Sequence, residues 1–304
     1  DVIELLESNL EEIKRHSSKE IVYEVKRENY ILSQEETYNG TFSAELNPKT
    51  YDIVIANPPY IKLPKLAPEA MAMQDVCYGA PNLYFLFAEM SAFNLMENGE
   101  MVYIVPRSWT SGVYFKKFRN KFFKEVVLEN IHLFESRDRV FEIESVLQET
   151  MIFKARKTSQ KPETVRITTT KTSSDFEDRT VYQAPYETVI NGEENYVYLV
   201  TNEMEAGVLQ KMNGWKNTLP KIGLKMKTGL TVDFRNRDAL CDSAENGAVP
   251  LFYAQHIQEG KVVFPIGKEN EFLSTSQTGL LQKNTNYLFV KRFTAKEEHR
   301  RLQC

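Results

Sequence analysis

The segment Asn57, Pro58, Pro59 and Tyr60 carries the side chains of this sequence that are best suited to chemistry. It follows directly after residues 51–56 (YDIVIA), a short run rich in Ile and Val that predicts a strand buried in a parallel sheet. Each proline lacks an N–H and fixes φ, and a residue that precedes proline is pushed toward extended backbone. The strand is therefore expected to end in a rigid tip that presents one polar and one aromatic side chain.

This tip, residues 57–60, is suited to holding a planar amino group. In an open parallel sheet, ligands bind at the carboxyl ends of the strands. The side-chain oxygen of Asn57 and the carbonyl oxygen of Pro58 are two acceptors that together can take both hydrogens of an –NH₂ group. Accepting them out of the ring plane localises the nitrogen lone pair and makes the nitrogen nucleophilic. Tyr60 offers a flat face for a ring, which suits a base taken out of a duplex, whereas an ordinary turn would be served as well by Gly or Asp.

The overall composition is that of a globular protein without a membrane segment. The 304 residues are 42% hydrophobic and 26% charged, and the length suggests two domains. No apolar run of about 18 residues and no signal peptide pattern are present, so no membrane partner is expected. The cysteines Cys77, Cys241 and Cys304 are scattered and the chain has only four His, so no metal site is expected and a cytoplasmic location is predicted.

The hydrophobic pattern predicts an α/β sheet in the first part of the chain. Strand and helix patterns alternate up to residue 134, which is typical of a parallel sheet, and the later strand pairs indicate that its far edge turns antiparallel. Asn98-Gly99 is expected to close the second long helix. The predicted elements are a helix at 2–16, a strand at 19–25, a strand at 51–56, a helix from 81, a strand at 101–106, a helix at 110–124, and strands at 126–134 and 145–155.

A second domain is predicted after a connecting helix. From Arg156 the chain is rich in Thr and Ser, residues 201–212 have a helical pattern, and the chain beyond Trp215 is rich in Gly, Lys and turns. We therefore expect a catalytic domain over 1–200, a linker helix over 201–216 and the start of a second domain over 217–304.

The charge distribution leaves two interpretations open. The net charge of −4 argues against a nucleic-acid partner, but Lys211 to Arg237 contains five Lys and two Arg against one acid, Asp233. A second basic run lies on residues 114–124 (YFKKFRNKFFK). Each run alone is typical of a solvated face. Together with a catalytic motif, the two runs are expected where a phosphate backbone binds.

The residues around the tip resemble a known enzyme family. DIVIANPPY is similar to the catalytic motif of amino-group methyltransferases that use S-adenosylmethionine. NLYFLFAEMSAFNLMENGEMVYIVPRSW resembles the segment that follows NPPY in N6-adenine DNA methyltransferases of restriction–modification systems, and PLFYAQHIQEGKVVFP and NYLFVKRFTAKEEHRR resemble the target-recognition domain of the fused type IIG enzymes. The resemblance covers nearly the whole chain. It implies a Rossmann-like methyltransferase sheet followed by a smaller, mixed α/β target-recognition domain, with double-stranded DNA as the partner.

The resemblance also implies roles for single residues of the tip. Asn57 and the Pro58 carbonyl would hold the amino group of a flipped adenine, Pro59 would stiffen the tip and Tyr60 would stack on the base. Phe141 would pack against the same base, with an ordinary core Phe as the alternative.

Further roles are implied away from the tip. Asn29, standing where the family has an acid, and Tyr30 would line the adenine of the cofactor, with a polar loop as the alternative. The basic residues expected to contact DNA phosphates are Lys225, Lys227, Arg235 and Arg237.

Two departures from the family pattern limit the expectation. The Gly-rich cofactor loop has no counterpart before residue 51, and the chain begins without Met inside a helical pattern, so it is expected to be a fragment that binds S-adenosylmethionine poorly or not at all. A nuclease domain or subunit, if one exists, is expected outside this chain. The alternatives are a protein or RNA amino-methyltransferase that uses the same tip and a non-catalytic DNA-specificity module.

Overall fold

The structure is a computed structural model that describes residues 2–40, 50–135, 149–172, 175–293 and 302–304. The chain divides into two compact units, Asp1–Trp215 and Lys216–Cys304. No helix among the described residues has the length and apolar character needed to cross a membrane.

The first unit contains seven α-helices among its described residues. Their bounds are α1 Val2–His16, α2 Glu35–Tyr38, α3 Pro68–Ala72, α4 Leu83–Asn94, α5 Lys116–Glu125, α6 Tyr186–Val189 and α7 Glu203–Asn213. Its strands are β1 Tyr51–Ala56, β2 Leu95–Pro106, β3 Val127–Phe134, β4 Thr150–Arg156, β5 Thr164–Thr170, β6 Thr180–Pro185, β7 Ile190–Asn191 and β8 Tyr196–Val197.

The core of the first unit is a six-stranded sheet in the order β1-β2-β4-β3-β5-β6. β1 pairs with β2 and β3 pairs with β5 in parallel, whereas β4 runs antiparallel to both of its neighbours and β6 runs antiparallel to β5. Four strands therefore share one direction, and their carboxyl ends lie at one edge of the sheet. The predicted α/β class is confirmed, and so is the antiparallel far edge, which is β6. A second antiparallel strand, β4, lies in the middle of the sheet, where none was predicted.

One face of the sheet is packed against α4 and α5. Alternate residues of β2 and β4, such as Tyr103 and Phe153, are fully buried, as a two-residue side-chain period requires. Trp109 lies beneath them, with its ring centroid 5.4 Å from that of Phe153 and 6.0 Å from that of Phe118 on α5. This aromatic cluster fixes the distance between the helix layer and the sheet.

β1 is the edge strand of the sheet and is less buried than its sequence predicts. Ile53 is 62% exposed and Ile55 is 77% exposed, so the expectation of a fully buried strand is wrong for the described residues. The physical reason is that β1 pairs only with β2 and that its outer side and one face have no partner among the residues that the structure describes.

The connection between α4 and β2 also differs from the prediction. α4 ends at Asn94 and β2 begins at Leu95, so Asn98 and Gly99 lie inside the strand instead of closing the helix. Asn98 has φ 67°, and the register between β1 and β2 shifts at this point. A Cβ on Gly99 would lie 2.9 Å from the carbonyl oxygens of Met96 and Tyr51. Glycine is required here because two backbone segments approach too closely for any side chain.

The predicted strand at 19–25 is wrong, whereas the helix before it and the strand at 126–134 are confirmed. Residues 20–27 have no regular secondary structure, and Val22 is exposed. A strand requires a partner for its ladder of hydrogen bonds, and no described strand pairs with this segment. The apolar run alone therefore did not determine the structure.

The second unit is built from short strands and single turns, as its composition predicts. β9 Leu240–Cys241, β10 Val249–Pro250 and β13 Phe272–Leu273 form one small sheet, and β11 Ile257–Gln258 pairs with β12 Lys261–Val262.

A buried His–Glu pair lies at the centre of the second unit. The backbone N–H of Tyr253 donates to Nδ1 of His256 (2.9 Å), so the imidazole proton is on Nε2, which donates to Oε1 of Glu271 (2.9 Å). Backbone N–H groups of Ile266 and Gly267 also donate to the carboxylate. Burial raises the pKa of Glu271, but these hydrogen bonds outweigh it, and the pKa lies below its ordinary value.

Candidate active site

The tip lies at the carboxyl end of β1, at the edge where the four codirectional strands end. Asn57 and Pro59 are exposed, Pro58 is buried and Tyr60 is half-buried. The two prolines stop the strand directly after Ala56. The structure therefore brings the four predicted residues together as one exposed corner whose middle is anchored in the protein.

The hydroxyl of Tyr60 connects the tip to the neighbouring strand. It lies 2.9 Å from Oδ1 of Asn57 and 3.0 Å from the carbonyl oxygen of Ile104 on β2. A hydroxyl has one hydrogen, so it donates to only one of these acceptors at a time. Oδ1 of Asn57 can therefore accept from an incoming amino group when the Tyr60 hydroxyl donates to Ile104. The Tyr60 hydroxyl therefore orients the Asn57 amide by a hydrogen bond, but it does not occupy Oδ1 permanently, because it can donate to Ile104 instead.

Tyr84 and Ser108 support the Tyr60 ring from behind. The rings of Tyr60 and Tyr84 meet edge to face, with centroids 6.1 Å apart, and the Tyr84 hydroxyl lies 3.0 Å from Oγ of Ser108. Burial raises the pKa of Tyr84 well above its ordinary value, and the Ser108 hydrogen bond offsets this only partly. The Tyr84 hydroxyl thus stays protonated. Sequence reasoning did not identify either residue, because they come from α4 and from the turn after β2.

Arg107 is a third residue that sequence reasoning missed. It follows β2 directly, and its guanidinium donates to the carbonyl oxygens of Phe134 and Thr150, where β3 ends and β4 begins. Nη1 also lies 3.7 Å from the carboxylate of Glu149. Arg107 therefore ties three strand ends together at the edge that carries the tip. Its position directly after an apolar strand, as in VPRSW, is the only signal in the sequence.

The remaining predicted residues of the first unit are placed differently. Phe141 lies outside the described residues. Oδ1 of Asn29 accepts from the backbone N–H groups of Ile31 and Leu32 (both 3.1 Å), and its amide donates to Glu69 (2.9 Å). These bonds are those of a turn that starts a 3₁₀-helix, and the role of Asn29 toward a cofactor stays a prediction.

Tyr30 packs against α4. Its ring centroid lies 5.2 Å from that of Phe87, and its hydroxyl lies 3.0 Å from Oγ of Ser91. One face of this half-buried ring is therefore used by the protein, and its role toward a cofactor stays a prediction.

The four predicted DNA contacts lie in the second unit and are exposed. Lys225 and Lys227 lie in an irregular segment, and Arg235 and Arg237 lie in consecutive 3₁₀ turns. The Arg235 guanidinium lies 5.5 Å from the centroid of the Phe234 ring. Within the described part of the chain, none of the four forms an ion pair, so their charges face solvent.

The described residues do not form a complete pocket for S-adenosylmethionine. Before β1 the only glycine is Gly40, the oxygen of Asn29 is used by backbone N–H groups, and β1 has no described partner on its outer side. The described residues before β1 therefore provide no Gly-rich loop beside the tip.

The sheet is the mixed, parallel-rich α/β sheet expected of a Rossmann-like fold. Residues 3–141 match the family described as Eco57I restriction-modification methylase. The chain is 33% identical over 258 residues to the type II methyltransferase M.PstI of Providencia stuartii and 32% identical over 253 residues to the type II methyltransferase M.BsuBI of Bacillus subtilis. These alignments cover 83% and 82% of this chain but 51% and 50% of the relatives, so the chain spans about half the length of the curated relatives it matches.

A solved structure also resembles part of the chain. The M protein of the type I restriction enzyme EcoKI is 14% identical, with a TM-score of 0.34, and the match covers 70% of this chain and 39% of that one.

Proposed function

We propose that this chain is part of a DNA adenine-N6 methyltransferase that uses S-adenosylmethionine and belongs to a restriction–modification system. The observation that carries the proposal is the Asn57 amide, which is exposed at a strand end and is oriented by the Tyr60 hydroxyl at 2.9 Å. The match of residues 3–141 to a restriction-modification methylase family supports it. Two curated relatives that carry the name type II methyltransferase support the same class.

The proposed chemistry requires acceptors and no strong base. The adenine amino group donates its two hydrogens to Oδ1 of Asn57 and to the carbonyl oxygen of Pro58, which concentrates the lone pair on nitrogen. S-Adenosylmethionine, when bound, supplies an electrophilic methyl group. The amino nitrogen would form the new N–C bond as the S–CH₃ bond of the sulfonium breaks and its electron pair leaves with the sulfur as a neutral thioether. The nitrogen would then lose one of its two protons to water. Tyr60 holds the base in place by stacking and releases Oδ1 of Asn57 by donating to Ile104.

Other parts of the proposal rest on the sequence resemblance. The flipped base would stack on Tyr60, and Phe141 would pack against the same base. The second unit would read the DNA sequence in a type IIG arrangement, and a nuclease, where present, would lie outside this chain. These assignments follow from the family pattern at the positions named.

The test uses the full-length protein that contains this chain. Labelled S-adenosylmethionine is incubated with mixed-sequence DNA, and label in DNA is measured for wild type, Asn57→Ala and the control Asn217→Ala. Loss of one preorganised acceptor should lower the rate by about a hundredfold or more in Asn57→Ala, whereas the exposed Asn217 should be replaceable without loss.

The outcomes separate the alternatives. Label in protein or RNA but never in DNA would reject the proposal in favour of another amino-methyltransferase. Sequence-specific DNA binding without any transfer would favour a specificity module. Digestion of labelled DNA to nucleosides identifies the modified base, and a product other than N6-methyladenine contradicts the adenine assignment.

The basic residues of the second unit have their own test. Charge removal at Lys225, Lys227 or Arg235 should weaken binding to all DNA sequences and flatten the salt dependence, by about 0.9 in slope for each phosphate contact. A variant that changes the preferred sequence without changing the slope would show a base contact instead.

A further inference from the structure

Two exposed tyrosines and one half-buried lysine near the tip have no role in the amino-group site described above. Tyr78 is 42% exposed and Tyr114 is 61% exposed, and their ring centroids lie 6.5 Å apart. Nζ of Lys116 lies 4.3 Å from the centroid of the Tyr78 ring. Two exposed aromatic rings next to a cation form a surface on which flat groups and anions both bind.

The backbone around Tyr114 is built to hold its ring at this place. Gly79 has φ +88°, which favours glycine, and a Cβ on it would lie 3.0 Å from the Tyr114 ring, so the two segments meet closely here. The next residue, Phe115, is buried and stacks on Tyr84 with centroids 6.0 Å apart. Tyr84 in turn contacts Tyr60 of the tip. Two consecutive ring contacts therefore connect the anchor of the exposed pair to the candidate active site.

The chain directly after the tip extends the same surface. The N–H of Leu63 donates to the carbonyl oxygen of Pro81 (2.8 Å), which places residues 61–63 beside the segment that carries Tyr78. Lys62 and Lys65 are exposed, and so is Lys117 next to Lys116.

The acids near this surface already have partners of their own. The carboxylate of Asp75 binds Nζ of Lys121 (2.5 Å), and the carboxylate of Glu69 accepts from Asn29. Glu194 lies 4.0 Å from Lys116 and 3.9 Å from the buried Arg119, so it neutralises the surface only in part. The surface therefore presents an excess of positive charge.

We propose that Tyr78, Tyr114 and Lys116 bind the sugar–phosphate backbone of the DNA strand next to the extruded base. This inference rests on the proposed function and assigns it a second contact surface, within the first unit. Lys116 pairs with a phosphate, and the Tyr114 ring packs against the neighbouring nucleotide, where the stack has lost one base. An acidic peptide would form ion pairs with the lysines but would not use the tyrosine rings. A nucleic acid offers phosphates for the lysines and planar bases for the two rings.

The experiment uses the full-length protein and mixed-sequence plasmid DNA. Binding is measured between about 50 and about 200 mM salt for wild type, Lys116→Ala, Tyr114→Ala and Tyr114→Phe. Lys161→Ala is the matched control, since Nζ of Lys161 likewise lies over a tyrosine ring (5.6 Å from Tyr186) and pairs with a glutamate (3.3 Å from Glu187).

The expected results differ for the two kinds of contact. Loss of one phosphate contact lowers the salt slope by about 0.9. The factor by which DNA affinity falls between about 50 and about 200 mM salt should therefore be roughly three times smaller for Lys116→Ala than for wild type. Tyr114→Ala should weaken binding by about tenfold at every salt concentration, and Tyr114→Phe, which keeps the ring, should bind like wild type. The fluorescence of the buried Trp109 checks that each variant is folded.

Two outcomes separate this inference from the proposed function. If wild type transfers no label to DNA, the proposed function fails first, and this inference fails with it. If wild type methylates DNA but Lys116→Ala and Tyr114→Ala bind like Lys161→Ala, only this inference is overturned. Binding of an acidic peptide that competes with DNA and depends on Lys116 but not on Tyr114 would also overturn it.

Discussion

Glu89 on α4 provides a sharp test of the physical description of the first unit. The side chain is fully buried, and neither of its oxygens accepts a hydrogen bond from the described residues. Burial is the main cause that raises its pKa to about 8, and the negative charge of Glu125 adds to it. Lys121 lies 3.6 Å away and lowers the pKa only partly, because the same ammonium binds Asp75 at 2.5 Å.

The sign of the pH effect follows from the two states. The pKa of Glu89 is 4.5 in the unfolded chain and about 8 in the folded one, so the protonated carboxyl favours folding below pH 4.5 and this contribution is lost as the pH rises to 8. The whole difference corresponds to roughly 5 kcal/mol. Gln has the shape of the protonated acid and cannot ionise. Glu89→Gln should therefore raise the free energy of unfolding by roughly 4 kcal/mol more at pH 8.5 than at pH 5.

Urea unfolding measures this directly, because Trp109 is buried in the first unit and its fluorescence reports on the unfolding of that unit. Any effect of the amide itself is the same at both pH values, so only the pH-dependent part counts. The exposed Glu187→Gln is the control and should show no such difference. Parallel pH curves for wild type and Glu89→Gln would refute the reasoning, since they would show that Glu89 ionises normally in the folded protein.

Three further predictions concern the two units and the site. Gly99→Ala should destabilise the first unit by about 1–3 kcal/mol in urea unfolding, because its Cβ would lie 2.9 Å from two carbonyl oxygens, whereas Gly207→Ala, in open space on α7 of the same unit, should change it by about 1 kcal/mol at most; equal effects would contradict the close approach. His256→Ala should leave the buried Glu271 carboxylate without its side-chain partner and cost about 2 kcal/mol or more, seen as faster hydrogen exchange in the second unit only; unchanged exchange there would contradict the pairing. Arg107→Lys should lower the methylation rate of the full-length protein about a hundredfold with little change in DNA affinity, since a single ammonium lacks the planar guanidinium fork that binds both carbonyl oxygens, and a pure loss of affinity would contradict a positioning role.

The fold could be predicted where a pattern is local and not where it depends on a partner. The strand at 126–134 and the helix that became α7 have strong periodicity, and both appear within two residues of the expected bounds. The segment 19–25 has the same apolar character but forms no strand, because pairing is a property of two segments. The prediction that Gly99 closes a helix is wrong for the same reason, since the backbone that crowds this residue comes from β1.

The candidate site shows the same division. The tip is four consecutive residues, so its chemistry can be read directly from the sequence. Tyr84, Ser108 and Arg107 support it from two other elements, and nothing in their local sequence indicates that they meet at one edge of the sheet. The double use of the Tyr60 hydroxyl could not be foreseen either, because its second acceptor is a backbone carbonyl of β2.

The position of β1 at the edge of the sheet links the order of the tip to any segment that pairs with the outer side of this strand. An unpaired strand edge is a template for adding another strand, and isoleucines open to water at Ile53 and Ile55 strengthen that tendency. Asn57 follows directly after this strand, so a segment that paired with its outer side would restrict the backbone that leads into the tip. Order along this edge and the position of the Asn57 amide would then change together.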